Sequence, residues 1–343
     1  MNNLLITQPD DWHCHLRDDA FLKRTVADTA RQFARAIVMP NLKLPITTIA
    51  QAHEYRSRII SNIPTGLQFE PLMTLYLTDT LSSDLFLDAK KSGIIVAAKY
   101  YPAGATTLSD SGILNIKTIY PLLEAMQSAD LPLCIHGESI EKDVDIFDRE
   151  KLFLTTLKTV LTDFPKLRII LEHISTSAAV EFIQAAPNNI AATITPHHLH
   201  YNRNDLFRGG IHPHYFCMPI LKHTDDQQAL IKAAISGNPK FFLGTDSAPH
   251  TRDQKEAACG CAGIYSAHAA IELYADIFER NHALNKLENF ASVFGAAFYQ
   301  LPINKNKITL IKKPWKIKDA LSFGNTELIP MKAGEMLSWQ IQF

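Results

Sequence analysis

Asp10-Asp-Trp-His-Cys-His-Leu-Arg-Asp18 sets two histidines two residues apart, with Arg17 and Asp18 just beyond them. In an extended segment the period-2 alternation turns His13, His15 and Arg17 to one face and Cys14 and Leu16 to the other. Two imidazoles on a rigid strand end can reach one metal ion; the competing reading is a pair of strand histidines with local hydrogen bonds. The same construction, an apolar run closed by a polar side chain, recurs downstream. Lys99 interrupts Ile94-Ile-Val-Ala-Ala-Lys99, His136 closes Leu133-Cys-Ile-His136, His173 closes Ile169-Ile-Leu-Glu-His173, and Asp246 closes Phe241-Phe-Leu-Gly-Thr-Asp246.

Working outward from these runs, strands are expected at 12–16, 35–39, 69–77, 94–101, 131–136, 167–174, 190–195 and 240–245. Segments with helical patterning lie between them, at 20–33, 48–60, 82–92, 116–129, 150–162, 177–186 and 225–236. Strand alternating with helix implies parallel strands, and this many units in one chain imply a closed (β/α)8 TIM barrel rather than an open sheet. Further helices are expected at 263–281 and 287–300. From about 301 the pattern changes to short alternating runs, at 308–311, around Trp315 and at 336–343, read as a short C-terminal appendage on one domain spanning 1–343.

The chain has 343 residues, 34 Lys and Arg against 35 Asp and Glu, and a formal net charge of −1. That balance offers no footprint for nucleic acid and no basic membrane-binding face, so the expected partner is a small-molecule substrate. With neither a basic, apolar leader nor a long apolar run, the expected location is the cytoplasm. Five cysteines without a regular framework suit reduced thiols; Cys259-Gly-Cys261 is read as loop-shaping.

In a parallel barrel the active site lies at the carboxyl ends of the strands. Four histidines, a lysine and an aspartate there are harder to explain as separately satisfied buried groups than as one constellation. They are too many for one tetrahedral ion that keeps an open position, so two ions are implied. A lysine ammonium among them would be repelled by both ions and costly to desolvate.

The stretches His13-Cys-His-Leu-Arg-Asp18, Val38-Met-Pro-Asn41, Ala98-Lys-Tyr-Tyr-Pro102, Ile135-His-Gly-Glu138, Phe147-Asp-Arg-Glu150, Leu171-Glu-His-Ile-Ser175, Thr193-Ile-Thr-Pro-His197, Pro219-Ile-Leu-Lys222, Gly244-Thr-Asp-Ser-Ala-Pro-His250 and Cys259-Gly-Cys-Ala-Gly263 run in one order along the chain. Together they resemble the amidohydrolase superfamily, and within it the bacterial dihydroorotases whose chain is essentially the barrel. The resemblance implies two divalent ions, zinc by expectation, with Lys99 carboxylated on its amine. His13, His15, Lys99 and Asp246 would hold one ion, and Lys99, His136 and His173 the other, with a hydroxide between them and Asp246 as the acid/base. It further implies that Arg17, Asn41 and His250 grip a substrate carboxylate, that main-chain groups at Met218 and Ala262 meet the ring, and that the protein is a homodimer. Thr106 and Thr107 match a loop that can close over substrate; a solvated turn is the alternative reading. A hydantoinase-like cyclic amidase and a metal-free barrel that serves as an assembly partner are the rival functions. The cluster His197, His198, His200, His212 and His214 is expected to hydrogen-bond and shape loops rather than bind metal.

Overall fold

The computed structural model describes residues 2–258 and 260–342. Strand β1, Asn3–Thr7, precedes a barrel of eight strands: β2 Asp10–Cys14, β3 Arg35–Val38, β4 Glu70–Tyr76, β5 Ile95–Tyr100, β6 Leu133–Ile135, β7 Ile169–Leu171, β8 Ile190–Ile194 and β9 Phe241–Leu243. Neighbours pair in parallel in sequence order. At the seam Asp246 N–H donates to the His13 carbonyl at 2.8 Å and His15 N–H to Ser247 O at 3.0 Å. The buried Asp11 carboxylate adds bonds from Thr245 N–H at 2.8 Å and the Thr245 hydroxyl at 2.6 Å, so side chains complete what the ladder leaves open.

One side chain from each barrel strand fills the interior: Trp12, Ile37, Leu72, Ala97, Cys134, Ile170, Ala191 and Phe242. This is a packed layer of the kind that makes a small barrel solid rather than a pore. Two residues further along each strand the same face reappears, now polar at several positions: Lys99, His136, Glu172 and Thr193.

The eight expected strands are all present and mostly shorter than expected; the first runs from Asp10 to Cys14, and Lys99 stays in its ladder while His136, His173 and Asp246 lie just past theirs. The expected helix at 263–281 shortens to Ala270–Arg280. Before it, Ala248 N–H bonds Ile264 O at 2.9 Å, and Gly263 holds φ +149 with a would-be Cβ only 2.6 Å from Ala248 O. The segment at 287–300 becomes a π-turn, Asn289–Val293, followed by Phe294–Phe298.

The appendage gains β1 as a partner that the alternation had not revealed, and the runs expected at 308–311 and around Trp315 merge into one strand. Strand β10, Lys307–Lys316, pairs antiparallel with β1 on one side and with Met336–Gln342 on the other, while Leu321–Phe323 and Thr326–Leu328 form a hairpin between. Asn3-Leu-Leu-Ile-Thr7 was too short to read as a strand alone; pairing with the C-terminal segment supplies its backbone bonds. Leu310, Trp339 and Ile341 bury themselves in the main core. Among the described residues no helix is long and apolar enough to cross a membrane. Cys14, Cys134, Cys217 and Cys261 are free thiols; Cys259 lies outside the described residues.

Gly295 passes so close to the Trp12 indole that a Cβ there would lie 2.0 Å from its Nε1. Gly295→Ala is expected to destabilise the protein by about 1–3 kcal/mol, the usual cost of overpacking a core, read as a lower urea midpoint with an unchanged slope.

Candidate metal centre and substrate recess

Local backbone, more than alternation, aims the site residues. The strand carrying His13 ends at Cys14, and the ladder with β3 is bulged between Asp11 and Cys14. Trp12 therefore points into the barrel and His13 follows it, as bulges beside active sites allow. His15 and Arg17 lie beyond the strand, which corrects the expectation of one shared strand face. Arg17 has φ +59, His173 +41 and Asp246 +44. These are left-handed conformations for residues with side chains, a strain characteristic of functional sites. On β7 the inward position after Ile170 belongs to Glu172, and the turn at His173 is what brings its ring in as well.

The metal-type donors converge. His13 Nε2 and His15 Nε2 are 3.4 Å apart, and Asp246 Oδ1 lies 3.3 Å from the first and 3.0 Å from the second. A tetrahedral ion with bonds of about 2.0–2.1 Å separates its ligands by roughly this much. The rings of His13 and His136 stand 5.1 and 4.7 Å from that of His173. Lys99 is fully buried beneath them, its Nζ without a hydrogen-bond partner, as is the Nδ1 of His173. Buried polar atoms are rarely left so; the His173 nitrogen suits a metal ion directly, and the Lys99 amine would suit one only in a neutral or carboxylated form. His15 and His173 are held neutral, whereas at His13 burial is outweighed by the Glu172 and Asp246 carboxylates, which hold the ring above the usual imidazole range. Burial pushes His15 down to about 4, and burial with the neighbouring His136 presses His173 well below the usual imidazole range, so both rings keep a free lone pair. Burial lowers Lys99 against the pull of Glu172, favouring the neutral amine that can capture carbon dioxide. Burial works to raise Asp246, but the charge of His13 and hydrogen bonds from His13 and His15 outweigh it and hold the carboxyl well below its usual range.

Two carboxylates that sequence reading passed over support the rings. Glu172 Oε2 is 2.8 Å from His13 Nδ1, and Glu138 Oε2 is 2.7 Å from His136 Nε2. Each fixes which ring nitrogen is left for an ion, the usual role of carboxylates behind metal-binding histidines. Glu172 also accepts from the Thr193 hydroxyl at 2.6 Å, whose oxygen accepts from His173 N–H at 2.7 Å, tying the two histidines into one network. Counting by twos from Ile170 would have found Glu172.

Above the donors is a narrow recess lined by every expected site residue except Lys99 and His250. Tyr101, which the sequence reading did not single out, lines it too. Arg17 reaches in with Nε on Pro249 O at 3.0 Å and Nη2 2.9 Å from His250 Nε2, which is itself 3.0 Å from Ala262 O. Thr106 and Thr107 form part of the roof. Asn41 Nδ2 donates to Thr107 O at 3.2 Å and the Thr107 hydroxyl to Ala262 O at 3.3 Å.

Four of the five clustered histidines are engaged elsewhere, as expected; His197 is not. His198 uses Nδ1 on the Thr195 hydroxyl at 2.8 Å and Nε2 on Pro219 O at 3.0 Å, and His200, His212 and His214 are hydrogen-bonded as well. His197, His198 and Cys217 bring ligand atoms within 4.8 Å of one another, but with both His198 nitrogens in use they are not a set of free donors. His197 is buried with neither ring nitrogen paired.

The amidohydrolase family model matches residues 5–337. A dihydroorotase of Coxiella burnetii is 58% identical over 343 residues, covering 100% of this chain and 99% of the relative. The chain belongs to the dihydroorotases of the amidohydrolase family. Among solved structures, a dihydroorotase from Campylobacter jejuni superposes with TM-score 0.92 at 34% identity, covering 100% of this chain and 98% of that one. The Saccharomyces cerevisiae dihydroorotase in complex with 5-fluoroorotic acid gives 0.91 at 35%, covering 100% and 99%. An L-hydantoinase from Arthrobacter aurescens, at 14% identity and TM-score 0.82 over 98% of this chain and 82% of that one, shares the fold alone.

Proposed function

We propose that this hydrolase opens the cyclic amide of (S)-dihydroorotate to N-carbamoyl-L-aspartate, and closes it in the direction that serves de novo pyrimidine biosynthesis, with two divalent ions, expected to be zinc. The triangle of His13, His15 and Asp246 above an unpartnered Lys99 carries the reading. His13, His15, Asp246 and a carboxylated Lys99 would hold one ion; Lys99, His136 and His173 would hold the other. When bound there, such ions bring the pKa of water towards neutrality and polarise the ring carbonyl.

The chain's own groups do the rest. Asp246, kept ionised, takes the proton of the attacking water and hands it to the departing ring nitrogen. Arg17, with Asn41 and His250, meets the substrate carboxylate, for which a guanidinium fork is suited. Main-chain groups at Met218 and Ala262 flank the ring, and Thr106 and Thr107 close over it. The enzyme works as a homodimer in the cytoplasm on this small molecule, with neither nucleic acid nor membrane as partner.

The test is turnover by metal-replete protein of dihydroorotate beside hydantoin and dihydrouracil, rings without the carboxylate. Dihydroorotate is expected to be the strongly preferred substrate. Preference for a neutral ring would move the assignment to a hydantoinase-like amidase and Arg17 to a structural role.

A further inference from the structure

Lys255 belongs to the short helix Arg252–Glu256, whose other residues are exposed or half-exposed, yet only 4% of its own surface is open to solvent. Its side chain turns inward, and Nζ donates to three main-chain carbonyls: Phe216 at 2.7 Å, Gly263 at 2.8 Å and Cys261 at 2.9 Å. An ammonium has three N–H donors, and all three are used. The acceptors come from two separate loops. Phe216 lies two residues before Met218, and Cys261 and Gly263 flank Ala262. A further bond, Gly263 N–H to Phe216 O at 3.0 Å, joins the same two loops directly.

A buried cation is an expensive way to gain stability; burial pulls this amine down to about 8, and a well-packed apolar side chain commonly does as well or better. What an ammonium offers over methionine is direction. It sets the spacing of three carbonyls on two strips of backbone that otherwise meet through few bonds.

We propose that Lys255 is a positioning residue that holds the main chain at Met218 and at Ala262 in the register needed to grip the substrate ring. This rests on the reading above that those main-chain groups contact dihydroorotate. Lys255 touches neither the metal-type donors nor the substrate, so its loss acts on binding.

Lys255→Met, made in the full-length metal-replete enzyme, is expected to raise KM for dihydroorotate about tenfold or more, the scale of penalty for small misplacements of binding groups. It should leave kcat within about threefold and the metal content unchanged, the signature of lost uniform binding. Lys255→Gln, which keeps two N–H donors, should fall between; should Lys255→Met fail to accumulate as folded protein, Lys255→Gln is the variant read. An unchanged KM, whatever happens to the melting temperature, overturns the proposal, as does a fall in metal content or in kcat alone. Wild-type protein inert towards dihydroorotate would overturn the substrate reading and this inference with it. A wild type that turns over normally beside a variant of unchanged KM would overturn this inference alone.

Discussion

Asp246→Asn should lower dihydroorotate hydrolysis by roughly 10²–10⁴, the range for removing a positioned general acid–base. The amide keeps an oxygen to face His13 and His15, which stand 3.3 and 3.0 Å from Oδ1, but it can no longer take up a proton at that position. The backbone should tolerate the change, since asparagine is among the residues that best accept the left-handed conformation Asp246 adopts at φ +44. Circular dichroism and elemental analysis should therefore find the variant folded and metal-bearing. Near-normal turnover in such protein would remove Asp246 from proton transfer.

The second large effect concerns Arg17. Its guanidinium stands at the edge of a recess built for cations, held by Pro249 O and beside His250, with one end of the fork left for a ligand. A positive charge there is electrostatically awkward unless an anion shares the space, and the substrate carboxylate is that anion. Arg17→Met is expected to cost roughly 2–5 kcal/mol in kcat/KM for dihydroorotate, the scale for truncating one partner of a buried charge pair. Metal content should not change, because the metal-type donors make no bond to Arg17. Dihydrouracil, which lacks the carboxylate, should be a poor substrate for the wild type and almost indifferent to the substitution. An equal loss on both rings would assign Arg17 to the architecture of the loop, where Tyr55 already bonds its main-chain carbonyl at 2.5 Å.

What could be read from the residues, and what could not, divides along the range of the forces involved. The barrel strands announce themselves because each is a short buried run bounded by turn residues, and the closing Lys99 and His136 follow their strands by simple alternation from Ala97 and Cys134. His13, Arg17, His173 and Asp246 reach the centre by a bulge or a left-handed turn, which no periodicity encodes; strand alternation picked out His13 and Arg17 but put them on one strand face, and the closing of apolar runs picked out His173 and Asp246 without the turns that aim them. Glu172 and Glu138 were passed over because a carboxylate beside a histidine in sequence looks like surface charge until burial shows it pointing at a ring. Strand β1 was missed for a different reason: its partner lies some 300 residues away along the chain, Leu5 facing Thr309. Lys255 gave no local signal at all, since its acceptors are main-chain carbonyls.

The central claim is that six side chains on five strand ends form one two-ion centre around a carboxylated lysine. Anomalous diffraction from crystals of zinc-loaded protein tests it most directly, read together with elemental analysis of the same sample. The account predicts two anomalous peaks per chain, one among His13, His15 and Asp246 and one between His136 and His173, with density extending beyond Lys99 Nζ between them. A single peak beside an unmodified Lys99 in fully loaded protein would contradict it.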